Sequence, residues 1–169
     1  PFSSNLKIYK NKLVAANQNN NFYFFNKLSG EMLKFIPTEE ITVNNEFKNN
    51  LSINDETSFF LNTYGTLYAF DNNSMKMNWF LNLNQSTDLN LSNLFSGIEL
   101  IAHNNLIVAS SNKSTYIIEA QTGSILYKKN FKSVIKPLIS SNHLFIITKN
   151  DLLICINLIN GETIYSYDI

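Results

Sequence analysis

The 169-residue sequence predicts an all-β chain built from four copies of one short-stranded unit, and three observations carry that reading. One motif recurs at spacings of 45, 48 and 38 residues, measured on the column Gly30, Met75, Gly123 and Gly161. Short β-branched and aromatic runs alternate with clusters of Asn, Asp, Ser and Gly. No stretch keeps the three-to-four-residue apolar spacing of an amphipathic helix.

The units share an internal order. In the first, strands are expected over 13–16, 22–25 and 32–35, and in the second over 59–62, 67–70 and 77–81. The third has them over 106–110, 115–119 and 124–128, and the fourth over 134–139, 144–148, 152–157 and 163–167. A Gly after Ser or Thr suits a hairpin where φ turns positive; Met75 takes that place in the second unit, so a differently built turn is expected there. Continuous runs such as Leu106-Ile107-Val108-Ala109 suit inner strands covered on both faces. A propeller blade of four strands takes about 40 to 50 residues. The expected fold is thus a β-propeller of four-stranded antiparallel blades. Four blades lie over about 1–36, 37–82, 83–130 and 131–169, half of an eight-bladed ring.

Composition limits the function classes. With 44% hydrophobic residues the chain can bury about two-thirds of its unfolded surface and hold its own core. Thirteen Lys balance thirteen Asp and Glu, and there is no Arg, so no general attraction to nucleic acid or an anionic membrane is expected. The single Cys155 forms no intrachain disulfide and reads as a buried small hydrophobe. No segment approaches the ~20 apolar residues of a membrane helix. Because the sequence opens on Pro1, a missing preceding segment that carried any targeting signal is expected.

Aligned without gaps, the four copies run through an apolar stretch to Asn26, Asp71, Glu119 or Asn157. Ser29, Ser74, Thr122 or Asn160 follows three residues later, then the Gly column, then Lys34, Trp79, Tyr127 or Tyr165. The stretch Asp71-Asn72-Asn73-Ser74-Met75-Lys76-Met77-Asn78-Trp79 resembles the pyrroloquinoline quinone-type β-propeller repeat, Asp-x-x-Thr-Gly-x-x-x-Trp. In that family the terminal Trp docks between blades, and the resemblance implies this role for Trp79, Tyr127 and Tyr165. Two functional groups use the repeat. Quinoprotein dehydrogenases hold the quinone with Ca²⁺, an Asp base and several Arg and Trp. The BamB-type outer-membrane assembly lipoproteins are non-enzymatic scaffolds. With no Arg and one Trp, the chain is expected to belong with the scaffolds. The resemblance then implies a periplasmic protein, outer-membrane anchored through a missing N-terminal segment, with protein partners in the outer-membrane assembly machinery. The alternatives are a fragment of a quinoprotein dehydrogenase with its cofactor residues elsewhere, and a cell-surface sensor or adhesive propeller.

No catalytic, cofactor or metal residue is expected. His103 and His143 read as turn residues at positions that diverge around a ring, and Glu39-Glu40 and Asp55-Glu56 as solvated loop charge. Five Asn-x-Ser triplets match what chance gives for this Asn content. The longest spacing places an insertion at 83–95, whose Asp88, Leu89, Leu91, Leu94 and Phe95 are the candidate partner-binding loop. A blade at each end with one uncovered face is expected to be apolar there and to drive closure or homodimerisation.

Overall fold

The computed structural model describes residues 2, 4–39, 49–84, 98–111 and 113–169. Among them the strands form four antiparallel sheets of four strands each, every sheet a simple meander, and no helix occurs. The first sheet is β1 (Lys7–Tyr9), β2 (Lys12–Ala16), β3 (Phe22–Asn26) and β4 (Met32–Ile36). The second is β5 (Asn50–Asn54), β6 (Thr57–Leu61), β7 (Thr66–Asp71) and β8 (Lys76–Asn82). The third is β9 (Ile98–His103), β10 (Leu106–Ser110), β11 (Thr115–Glu119) and β12 (Ile125–Lys129). The fourth is β13 (Leu138–Ser140), β14 (His143–Ile147), β15 (Leu152–Asn157) and β16 (Thr163–Asp168). These are the four blades. The chain folds as two compact units, one holding the first two blades and the other the last two.

Each blade repeats the same turns. The two-residue turn between its first and second strands has its leading residue at positive φ: Lys10 at 51°, Asp55 at 46°, Asn104 at 50° and Ser141 at 52°. The hairpin between third and fourth strands places Gly30, Met75, Gly123 and Gly161 at φ 73°, 55°, 75° and 75°. The amide of each donates to the carbonyl four residues back, on Asn26, Asp71, Glu119 and Asn157, at 2.8–2.9 Å. Met75 therefore does not change the turn, contrary to the sequence expectation. It adopts the left-handed conformation itself, which costs a non-glycine residue about 1–2 kcal/mol, and its side chain packs against the core of the first unit.

The acidic or amide residue that opens this hairpin caps it. Asn26 Oδ1 accepts the amides of Leu28 at 2.9 Å and Ser29 at 3.2 Å, Asp71 Oδ1 that of Ser74 at 2.5 Å, and Asn157 Oδ1 that of Ile159 at 2.8 Å. Beyond the turn, the pairing of third and fourth strands shifts register once in every blade, between Phe24 and Phe25, Ala69 and Phe70, Ile117 and Ile118, and Cys155 and Ile156. The bulge inserts one residue on the outer strand and turns the next side chain, Lys34, Trp79, Tyr127 or Tyr165, onto the face it shares with Phe24, Ala69, Ile117 or Cys155.

Blades pack face to face within each unit. In the first, Val14, Ala16, Phe22 and Phe24 meet Leu51, Phe60, Tyr68 and Phe70, with the rings of Phe22 and Phe70 stacked at 4.4 Å. In the second, Val108 and Ile117 meet Leu144, Ile146, Ile154 and Ile156. Cys155 is buried as expected, on the opposite face of its strand.

Two corrections concern strands. The strand expected over 134–139 reaches only Leu138–Ser140, preceded by an isolated bridge from Ser133 to Thr148. Pro137 has no N–H to give a ladder, so pairing begins after it. His103 closes β9 and His143 opens β14, so both are strand ends rather than turn residues. The first strands of the other three blades went unread; β5, Asn-Leu-Ser-Ile-Asn, is buried at its start despite its polar composition.

Candidate protein-binding surface

The side chains that join one blade to the next sit on the face set by the bulge. In the second unit the Tyr127 ring of the third blade lies flat on the hairpin of the fourth, and its hydroxyl donates to the Ile159 carbonyl at 2.6 Å. Gly161 is buried beneath it: a Cβ added there would lie 2.4 Å from Cδ1 and 2.6 Å from Cγ of that ring. This joint therefore demands glycine twice, for its positive φ and for the ring above it.

The first unit solves the same joint differently. The first blade has Lys34 in the ring column, and Lys12 of β2 supplies the donor, its Nζ 2.6 Å from the Asn72 carbonyl and 3.2 Å from that of Asn73. Asn73 stands at the turn position equivalent to Ile159. With Lys12 serving the joint, the site beneath tolerates Met75. Tyr9 Oη completes the edge, 3.2 Å from Glu56 Oε1 and from Asn73 Oδ1. Glu56 is thus tied to the neighbouring blade, with Lys10 Nζ at 3.7 Å, and hydrogen bonds from Asn73 and then Tyr9 hold its carboxyl below the usual range.

A second repeated column escaped the sequence reading. Asn17, Asn62, Ser111 and Thr148 close the loop between second and third strands by accepting backbone amides. Around the first two grows a buried polar network. Asn20 Oδ1 accepts from the Thr63 hydroxyl at 3.0 Å and its Nδ2 donates to the Glu39 carbonyl at 3.1 Å. The exposed Glu39 carboxylate accepts from Asn62 Nδ2 at 3.0 Å and Thr66 Oγ1 at 2.7 Å, so this loop charge faces solvent, as expected, and is also hydrogen-bonded. Beside it, burial first and the Glu39 charge second push the Tyr68 phenol up to about 12. The signal for this column was a polar residue 12 or 13 positions before each Gly-column residue.

The outer strand of every blade exposes large apolar residues: Met32 and Phe35 on β4, Met77 and Phe80 on β8, Ile125 and Leu126 on β12, Ile164 and Tyr167 on β16; others, such as Ile8, Leu28, Leu138 and Ile159, lie on first strands and turns. Phe80 is 64% and Tyr167 62% exposed. Each of these strands is also a sheet edge, with one side of its backbone unpaired within the sheet. The expected loop residues Asp88, Leu89, Leu91, Leu94 and Phe95 lie outside the described residues.

A quinone site needs a Ca²⁺ ligand set, and among the described residues no three or more His, Cys, Asp or Glu come together to hold a metal.

No family model and no curated protein sequence matches the chain. Solved structures do. BamB of Moraxella catarrhalis aligns with 99% of this chain at a TM-score of 0.72 and 10% identity. The fold is a β-propeller. The chain spans 53% of that BamB chain. The computationally designed protein Ika4 aligns over the full chain and 91% of its own length, with TM-score 0.69 and 14% identity. Quinohemoprotein alcohol dehydrogenase of Comamonas testosteroni aligns over 99% of this chain and 35% of its own, with TM-score 0.77 and 6% identity. The four four-stranded sheets are thus propeller blades of a kind built into both a BamB and a quinohemoprotein dehydrogenase.

Proposed function

We propose that the chain is part of a non-enzymatic, BamB-like scaffold in outer-membrane β-barrel protein assembly, acting in the periplasm. The observation that carries the protein-binding part is the apolar outer edge repeated on all four blades. An exposed edge strand with large apolar side chains offers a partner both backbone pairing and side-chain contact. The insertion whose sequence carries Asp88, Leu89, Leu91, Leu94 and Phe95 is proposed as a second partner-binding element from its sequence alone. The likeness to BamB and the repeat motif support the assembly role, and the balanced charge fits a protein partner better than nucleic acid.

Deletion of residues 88–94 and, separately, Phe80→Lys are the tests, each read by pull-down of outer-membrane assembly components and by thermal melting. Capture falls at least tenfold in one or both variants while the melt stays nearly unchanged. Undiminished capture by both removes this surface from the account.

A further inference from the structure

Three of the four hairpins put Ser or Thr before the left-handed position, at Ser29, Ser74 and Thr122; the fourth puts Asn160 before Gly161, the one Asn-Gly step in the sequence. An asparagine followed by glycine is the pair most open to attack by its own backbone, because glycine has no Cβ to hinder the approach of its amide nitrogen to the side-chain carbonyl carbon. Here the fold opposes that attack at three points. The Gly161 amide donates to the Asn157 carbonyl at 2.8 Å. The Asn160 carboxamide is pinned at both ends by Glu162, its Oδ1 accepting the Glu162 amide at 3.0 Å and its Nδ2 donating to Oε2 at 2.7 Å. The Tyr127 ring covers Gly161, and its hydroxyl holds the Ile159 carbonyl at 2.6 Å. Asn160 itself is exposed, so water and base reach it once these contacts open.

We propose that Asn160-Gly161 is a spontaneous deamidation site, shielded in the closed joint by Tyr127 and, once converted to isoaspartate, unable to re-form that joint. The Gly161 nitrogen gives its proton to base and forms a bond to Asn160 Cγ. The Cγ–Nδ2 bond breaks, Nδ2 leaves as ammonia, and a succinimide remains. Water then opens that ring at either carbonyl, giving aspartate by one cleavage and isoaspartate by the other, with no oxidant or cofactor. In isoaspartate the backbone runs through Cβ and Cγ. It is then one atom longer between the Ile159 carbonyl that Tyr127 holds and the glycine that its ring covers, so the two contacts no longer fit one side chain. A carboxylate also replaces the amide that donated to Glu162, which turns an attraction into a repulsion. Because the reaction needs the open hairpin, its rate follows the population of that local opening. The proposal stands whatever the scaffold binds.

Peptide mapping of the 169-residue chain during incubation in mildly alkaline buffer, with isoaspartate resolved from asparagine, tests it. Conversion at Asn160 in the native protein is at least tenfold slower than in the same chain unfolded in urea. Tyr127→Ala raises native conversion at least tenfold, and Tyr127→Phe, which keeps the ring and drops the bond to Ile159, raises it less. The exposed Asn73-Ser74 step in the first unit keeps its rate in both variants. Protein converted at 160, separated by its added negative charge, exchanges the Gly161 amide at least tenfold faster by NMR than the parent. Native conversion as fast as in urea overturns the proposal. So do rates at Asn160 that neither variant changes, a rise that Asn73-Ser74 shares equally in both, and an unaltered Gly161 exchange in the converted protein.

Discussion

At the residue scale, what a position tolerates is decided by what lies above it. Gly30 and Gly161 share a φ within two degrees, yet one faces open space and the other the Tyr127 ring. Alanine at 30 pays only for the left-handed backbone, about 1 kcal/mol. At 161 the same strain adds to an overpacking cost of about 1–3 kcal/mol, because the clash is with a ring held by its own hydrogen bond. Gly161→Ala is therefore expected to be the more destabilising by about 1–3 kcal/mol in urea unfolding. Equal losses would mean that the ring adds nothing at this joint. The Asn content that looks like a compositional accent in the sequence has a local cause as well: Asn20 and Asn104 take left-handed turn positions, and Asn17, Asn26, Asn62 and Asn157 cap turns.

At the element scale, the conserved object is the hairpin with its bulge, and its chemistry varies between blades. Asn opens it in the first and fourth blades, Asp71 in the second and Glu119 in the third. Chiefly the Ser74 amide holds the Asp71 carboxyl below its usual range. A carboxylate whose folded pKa is depressed contributes stability at neutral pH and loses it as pH falls below 3.8, its unfolded value, through the folded one. Asp71→Asn keeps the acceptor, as Asn26 and Asn157 show, and removes that titration. Thermal melts from pH 6 to pH 2.5 should then fall less for Asp71→Asn than for the parent. Parallel curves would show that Asp71 carries no pH-dependent share of the turn's stability.

The same scale shows what the sequence made legible. Second, third and fourth strands of each blade were readable because their β-branched and aromatic runs end at turn residues. The first strands of the first three blades were not, since β1 is three residues long and β5 alternates Asn and Ser with Leu and Ile. The ring column was legible through Trp79, Tyr127 and Tyr165, but Lys12 was not. Its role depends on a neighbouring blade's turn 60 residues away, which no local pattern encodes. Met75 misled for a related reason: glycine is the favoured left-handed residue and not the only one.

At the scale of the whole molecule, four copies of one meander give the blades, paired cores hold them two by two, and the outer strands are left as apolar edges. A fold shared by a BamB and by quinohemoprotein dehydrogenases does not choose between binding and catalysis. The scaffold is our proposal, and it rests on the exposed apolar side chains of the outer strands. The most direct test is site-specific photo-crosslinking in the native host, with a photoreactive residue at Phe80 or Leu126 and a control at buried Ile117. The account predicts adducts to outer-membrane assembly components from the two edge positions and none from Ile117. No protein adduct from either edge, together with stoichiometric uptake of pyrroloquinoline quinone and Ca²⁺ by the purified protein, would contradict it.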